Sequence, residues 1–181
     1  MISRGLFLED RRKKLRVFDF DDTIVKTKAK VYVTNTKTGR EFSLTPGEYA
    51  VYEPKPNDEF DFREFNRVID PTEIKAITNI LRRVVKKSRD TVYILTARAT
   101  YRPVREYLRD IGVNTNKIYV KALASSDPQD KADWIEDKIE NEGYNDVYFA
   151  DDSPKNVRAV KKMLRKHRDK LEKSRVQHVK Y

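Results

Sequence analysis

An α/β fold, with a central parallel sheet of about five strands between two layers of helices, is what this 181-residue sequence predicts. Three observations lead there. Short β-rich runs alternate with segments whose apolar residues recur three and four apart, and helix-start and helix-stop residues punctuate the change from one to the other. Only one stretch, from about 30 to 66, breaks the rhythm.

The elements follow in order. LRVFDF (15–20) reads as the first strand, TVYILT (91–96) as the second, KIYVK (117–121) as the third, DVYFA (146–150) as the fourth and VQHVK (176–180) as a fifth. Helical spacing joins Ile74, Ile77, Leu81 and Val84, then Val104, Leu108 and Ile111. It continues with Ala132, Ile135 and Ile139, and last with Val157, Val160, Leu164 and Leu171. Pro71-Thr72 and Pro154 mark helix starts; Gly112 and Gly143 lie just past helix ends. Strands alternating with helices of this length form right-handed βαβ units, whose sheet is parallel and covered on both faces. Within 30–66, KVYVTN and REFSL alternate around Thr36-Lys37-Thr38-Gly39, a hairpin signal, TPGEY reads as a turn, and an acidic, aromatic run, EPKPNDEFDFREF, follows. The stretch is expected to be a small insertion after the first strand.

Bulk composition narrows the class. An apolar fraction of 38% in a chain this long suits one domain, spanning 1–181, with a core of ordinary size. The absence of cysteine removes disulfides and thiolate metal sites and suits an intracellular protein. The opening MISRGLFLEDRRKK has only a four-residue apolar patch, from Gly5 to Leu8, before a charge run, too short for a secretion signal or a membrane span. A soluble, cytoplasmic protein with no membrane partner is expected. The net charge of +10 is local: residues 154–181 hold eleven Lys or Arg and two acids, leaving the rest nearly neutral. The basic helix and tail at 158–181 read either as a solvated face or as a contact for nucleic acid or an acidic protein.

Ligands of an open parallel sheet bind outside the carboxyl ends of its strands. Those ends here carry Asp19, Asp21, Asp22 and Thr23, then Thr96 and Arg98, then Asp151, Asp152, Ser153 and Asn156. Like charges about 4 Å apart repel by roughly 4 kcal/mol at an effective dielectric of about 20, so such a cluster shifts its pKa values or binds a cation. Oxygen donors without His or Cys point to Mg²⁺. The two histidines, His167 and His178, both lie in the basic tail, where surface or packing roles are expected.

FDFDDTIV, the strand ending in threonine within VYILTAR, Lys131 in DKADWIEDKI and the acid pair of VYFADDSPKN together resemble the four motifs of haloacid dehalogenase (HAD) superfamily phosphohydrolases. They stand in the family's order and span 15–157. The resemblance implies a Rossmann-like three-layer sandwich and a Mg²⁺-dependent phosphatase. Asp19 would be the nucleophile and Asp21 the general acid and base. Thr96 would hydrogen-bond the phosphoryl oxygens and Lys131 neutralise them. Asp152, Asp19 and the Asp21 carbonyl would hold the metal, with Asp151 supporting its waters. Which acid of the pair touches the ion stays open, as does Lys121 as a rival to Lys131. Asn156 also stands where one version of the last motif has an acid.

The short insertion implies a partly open site that admits a bulky phosphoester. Thr23, Arg98 and Arg102 are candidate phosphate ligands, with Arg105 nearby. An arginine after the second motif and a paired acid in the fourth are similar to the phosphatase part of polynucleotide kinase-phosphatases. The substrate is then a nucleotide, another small phosphoester or a nucleic-acid end, although Glu53, Asp58, Glu59, Asp61 and Glu64 would repel a passing backbone. Receiver domains require a phosphoacceptor Asp on a middle strand, which TVYILTAR lacks, and Toprim enzymes require a glutamate on an earlier strand. A catalytically weak binding or structural component that uses the basic tail is the remaining alternative.

Overall fold

In LRVF the side chains alternate, sending Leu15 and Val17 to one face of a strand and Phe18 to the other. That strand, β1 (Lys14–Phe18), is the centre of the sheet in the computed structural model, which describes residues 12–87 and 89–180. The opening apolar patch at 5–8 falls outside the described residues. The chain continues through β2 (Val25–Lys26), β3 (Val31–Asn35), β4 (Glu41–Leu44), α1 (Pro46–Val51), β5 (Asp58–Asp61) and β6 (Thr72–Glu73). Then come α2 (Lys75–Val85), β7 (Asp90–Thr96), α3 (Arg102–Asp110), β8 (Ile118–Ala122), α4 (Pro128–Glu142), β9 (Asp146–Asp151), α5 (Pro154–Lys166) and β10 (Lys173–His178).

Five strands make one parallel sheet in the order β10, β9, β1, β7, β8. Both faces are covered. Phe18, Val92, Ile94 and Ala150 meet α2 and α3 on one side; Leu15, Val17, Leu95, Val147 and Phe149 meet α4 and α5 on the other. Burying a side chain as large as Phe18, Ile94 or Phe149 contributes about 1.5–3 kcal/mol, and all three are fully buried. At the amino end of the sheet Arg16 pairs with Asp146 at 2.9 Å and Asp90 at 3.5 Å, tying three neighbouring strands together.

The topology positions the site. From β1 the chain moves outward through β7 to β8, then returns past β1 to place β9 on its other flank. The strand order therefore reverses between β1 and β9, and a reversal opens a crevice at the carboxyl ends of the two strands. Asp19 follows β1 and Asp151 ends β9.

The stretch from 30 to 66 is a second, antiparallel sheet, β4, β3, β5, joined by α1. It holds more structure than a hairpin. TPGEY is not a turn but the start of α1: Thr45 caps the Glu48 N–H, and the Glu48 side chain accepts the Thr45 N–H in return. Asp58–Asp61 adds a third strand whose exposed acids hide its period. Where the chain leaves and rejoins the core, β2 and β6 pair antiparallel. Thr72 therefore lies in a ribbon, and α2 starts at Lys75 rather than after Pro71. The last strand is shifted toward the N-terminus, to Lys173–His178, and Leu171 lies beyond the end of α5.

Candidate active site

Each functional side chain sits at an element end for a local reason. Asp19 leaves β1 with its backbone N–H still bonded to the Ala150 carbonyl at 2.9 Å, so the nucleophile candidate is anchored to β9. Asp22 turns the chain in the left-handed region (φ 56°), a conformation that Asp tolerates better than most residues, so shaping the turn is its evident task. Asp127 caps α4 through the Gln129 N–H and Pro128 opens that helix, which brings Lys131 round onto the sheet edge, buried. Ser153 caps α5 in the same manner and fixes the loop that carries Asp151 and Asp152.

Lys131 Nζ donates to Asp19 Oδ1 at 2.6 Å and to Asp151 Oδ2 at 2.7 Å. Lys121 is an exposed residue of β8 and is not part of this group. Both Asp151 oxygens are well supplied with donors. Oδ1 accepts the Ser153 N–H at 2.8 Å, and the Asn156 amide reaches both oxygens at 3.1 and 3.0 Å. Asp152 is less committed: its Oδ1 accepts the Thr23 hydroxyl at 3.3 Å, while the Thr23 oxygen accepts the Asp152 N–H at 3.1 Å.

Carboxylate oxygens of Asp19, Asp151 and Asp152 lie within 4.8 Å of one another. One ammonium does not balance three carboxylates. Burial pushes the Asp19 carboxyl up to about 7; Lys131 opposes this, and Asp151 and Asp21 add to it. Burial likewise pushes Asp152 up to about 9, helped by Asp19, Asp151 and Asp22. Burial alone would lower the Lys131 pKa, but Asp151 and Asp19 override it and hold the ammonium charged. A hard divalent cation would relieve this surplus of negative charge, and the donors are all oxygen, so the residues fit Mg²⁺.

The other candidates divide. Asp21 faces the same cleft as Asp19, but its carboxylate is held by Arg98, which donates from Nε at 2.9 Å and from a terminal nitrogen at 2.8 Å. The other terminal nitrogen of Arg98 donates to the Phe65 and Arg67 carbonyls, each at 2.8 Å. Four of its five N–H groups are therefore taken, and Arg98 straps Asp21 to the segment that follows β5 instead of standing free for a phosphate. Thr96 is buried at the end of β7 and accepts the Arg98 backbone N–H at 3.2 Å. Thr23 spends its hydroxyl on Asp152, and Arg102 lies exposed at the start of α3, away from the cleft lining. Arg105 closes a loop by donating to the Ile118 and Thr115 carbonyls. A guanidinium is drawn to buried carbonyls and carboxylates as strongly as to phosphate, and spacing alone does not separate these uses.

The cleft has a volume of about 960 Å³. Its floor is Asp19, Asp21, Lys131 and Asp152; its far wall is Tyr49, Tyr52, Phe62 and Phe65 of the insertion. These rings pack edge to face, Tyr49 against Phe62 at 5.4 Å and Phe62 against Phe65 at 5.7 Å. The wall is held to the core where the Tyr49 hydroxyl meets Ser126 Oγ at 2.5 Å and Lys155 Nζ donates to the Tyr52 carbonyl at 2.5 Å. The aromatic content of 49–65 was the available sequence signal for this wall, but which rings face the site depends on α1 and β5.

No protein-family model and no curated protein matches the chain. Solved structures do. The fold is similar to the HAD domain of the effector protein Lem4 from Legionella pneumophila, solved as an inactive mutant. The TM-score is 0.57 at 15% identity, over 94% of this chain and 87% of that one. It is also similar to the Legionella pneumophila effector Ceg4, solved with an N-terminal yeast Hog1p sequence, at a TM-score of 0.53 and 17% identity, over 93% of this chain and 88% of that one. The chain has a HAD-like fold. No helix among the described residues is long and apolar enough to cross a membrane.

Proposed function

We propose that the protein is a Mg²⁺-dependent phosphomonoesterase that works through an aspartyl-phosphate on Asp19. The observation that carries this reading is the convergence of Asp19, Asp21, Lys131 and Asp152 on the floor of one cleft, with Lys131 bonded to only one Asp19 oxygen. The other oxygen, Oδ2, is left to attack.

In the first half-reaction Asp19 Oδ2 attacks phosphorus, the ester P–O bond breaks, and Asp21 gives a proton to the departing alkoxide. In the second, Asp21 takes a proton from water, the water oxygen attacks phosphorus, and the bond to Asp19 breaks to release inorganic phosphate. Both Asp21 oxygens accept from Arg98, which fixes their direction and leaves each a further lone pair for the proton. Lys131 offsets charge gathering on the phosphoryl oxygens, and Thr96 donates its hydroxyl hydrogen to one of them. Asp152, Asp19 and the Asp21 backbone carbonyl would hold Mg²⁺, which when bound supplies positive charge to the phosphoryl group. Asp151 holds Lys131 in place and would support the waters of a bound ion. The inserted sheet acts as a cap whose aromatic wall suits a flat leaving group, as a nucleotide or other small phosphoester, or the end of a nucleic acid, presents.

Hydrolysis of para-nitrophenyl phosphate with Mg²⁺ tests the reading, followed by a panel of nucleotides, sugar phosphates and 3′- and 5′-phosphorylated oligonucleotides. Turnover by the wild type and none by Asp19→Asn is expected. Turnover that survives Asp19→Asn removes the nucleophile assignment, and no turnover on any substrate favours a binding or structural component.

A further inference from the structure

We infer that the solvent face of α5, continued by the β10 edge, is a docking surface for the phosphate backbone of nucleic acid. The inference rests on a surface outside the cleft and does not depend on the proposed reaction.

Val157, Val160, Met163 and Leu164 turn the apolar side of α5 into the core. Arg158, Lys161, Lys162, Arg165 and Lys166 are exposed on the other side. At 100° per residue these five fall within an arc of about 140° and extend over about 12 Å. Arg168, Lys173, Arg175 and Lys180, all exposed, prolong the surface past the helix end and along the edge strand of the sheet. Residues 158–180 hold ten cations and two acids.

None of these nine exposed cations forms an ion pair with a described acid. Acids on other elements are committed elsewhere, Glu53 to Lys155, Glu136 to His167, and Glu140 to His167 and Lys170, and Asp169 and Glu172, within the stretch itself, offset two of its ten charges. Like charges four apart on a helix repel, and Arg158–Lys162, Lys161–Arg165 and Lys162–Lys166 all do so here. The helix dipole rewards Arg165 and Lys166 in the last turn, but its effect does not extend to Arg158, Lys161 or Lys162. Beyond that last-turn contribution, the array does nothing for the stability of the fold.

The chemistry of the face selects the occupant. Among the described residues, the exposed large apolar side chains are Val51, Phe62, Tyr101 and Tyr119, none of them on α5 or β10. A protein interface has an apolar or aromatic centre and few lysines, and this face is the reverse. A helix lying in a membrane surface inserts its apolar side, and that side of α5 is already used by the core. A nucleic-acid backbone needs only a rigid row of cations, with no base contacts and no apolar anchor.

Fluorescence anisotropy of a labelled 20-mer DNA duplex is the test, with wild type, the triple variant Arg158→Gln, Lys162→Gln, Lys166→Gln, and Asp19→Asn. Five phosphate contacts from the helix predict a log-log salt slope of about −4.5, so affinity falls about 500-fold between roughly 50 and 200 mM salt. The triple variant removes three of these contacts, and its slope is shallower by about 2.7. Asp19→Asn binds like the wild type, so failure of the catalytic reading leaves this one standing. Circular dichroism and the urea midpoint verify that the triple variant is folded. The inference is overturned if the triple variant binds as tightly as wild type with the same slope, or if the duplex does not bind. It is equally overturned if phosphatidylserine vesicles or polyglutamate bind the wild type more tightly than the duplex does.

Discussion

Replacing Arg98 by lysine separates two roles that the sequence leaves joined. The guanidinium is buried, with its side chain 1% exposed, and its four bonds run to both Asp21 oxygens and to the Phe65 and Arg67 carbonyls. Lysine keeps the charge but presents one nitrogen, which reaches at most two of those four acceptors. Hydrogen bonds to charged groups contribute about 1.5–3 kcal/mol each, so losing two predicts a destabilisation of about 3–6 kcal/mol before relaxation. Water reaching the partly exposed Asp21 recovers part of this, leaving about 3 kcal/mol. With a urea m-value of about 2 kcal/mol/M the unfolding midpoint falls by about 1.5 M. Because Asp21 loses its fixed direction and the strap to the insertion is cut, kcat for an aryl phosphate falls as well. A phosphate-binding arginine would behave otherwise: Arg98→Lys would raise KM, leave the midpoint within experimental error and spare the fold. That second pattern would refute the strap assigned to Arg98.

Two further outcomes follow from the site and the insertion. Mg²⁺ at about 100 times its Kd stabilises the protein by about 2.7 kcal/mol, which corresponds to a Tm rise of roughly 5–10 °C for a chain of this size; Asp152→Asn removes the rise, and an unchanged Tm in wild type speaks against the metal site. Acid loosens the insertion. Glu64 accepts the Tyr32 hydroxyl at 2.7 Å and the Lys30 N–H at 2.8 Å, and these bonds, the hydroxyl first, hold its carboxyl below the usual 4.5. A folded pKa below the unfolded one contributes stability above the unfolded value, and that stability is lost as pH falls through the folded value. Amide exchange in β3 to β5 therefore quickens below about pH 4 once intrinsic rates are corrected, and Glu64→Gln weakens that dependence, the remainder coming from Asp58 and Glu48, whose carboxyls are also held low by the hydrogen bonds they accept. Exchange independent of pH in wild type would exclude Glu64 as the brace.

Local patterning was enough for the elements that are buried on both faces. VYILT and DVYFA read as strands because a parallel strand between two helical layers is apolar almost throughout, and Pro154 and Gly143 marked helix ends because the fixed proline φ and left-handed geometry restrict residue choice at those points. Asp19, Asp21 and the Asp151–Asp152 pair were legible for a related reason: strand ends next to a change in strand order are where such a sheet presents ligands; Lys131, on a helix, was legible only through the resemblance to the HAD motifs. The solvated insertion was less legible. The exposed Glu59 and Asp61 of β5 conceal a strand, and the short helix after Thr45 shows only a capping box where a turn was expected.

By itself, then, the sequence determined the α/β class, the parallel core and the acids that meet at its carboxyl edge, because burial and capping act over neighbouring residues and leave a periodic trace. Only the tertiary structure decided how the polar groups divide among themselves. Arg98, Arg105 and Thr23 turned from candidate substrate ligands into braces, Asp151 became the anchor of Lys131, and Asp152 was left as the acid facing the cleft. Hydrogen-bond partners far apart in the chain compete for the same donors, and the competition is resolved by distances of a few tenths of an ångström that no spacing in the sequence records.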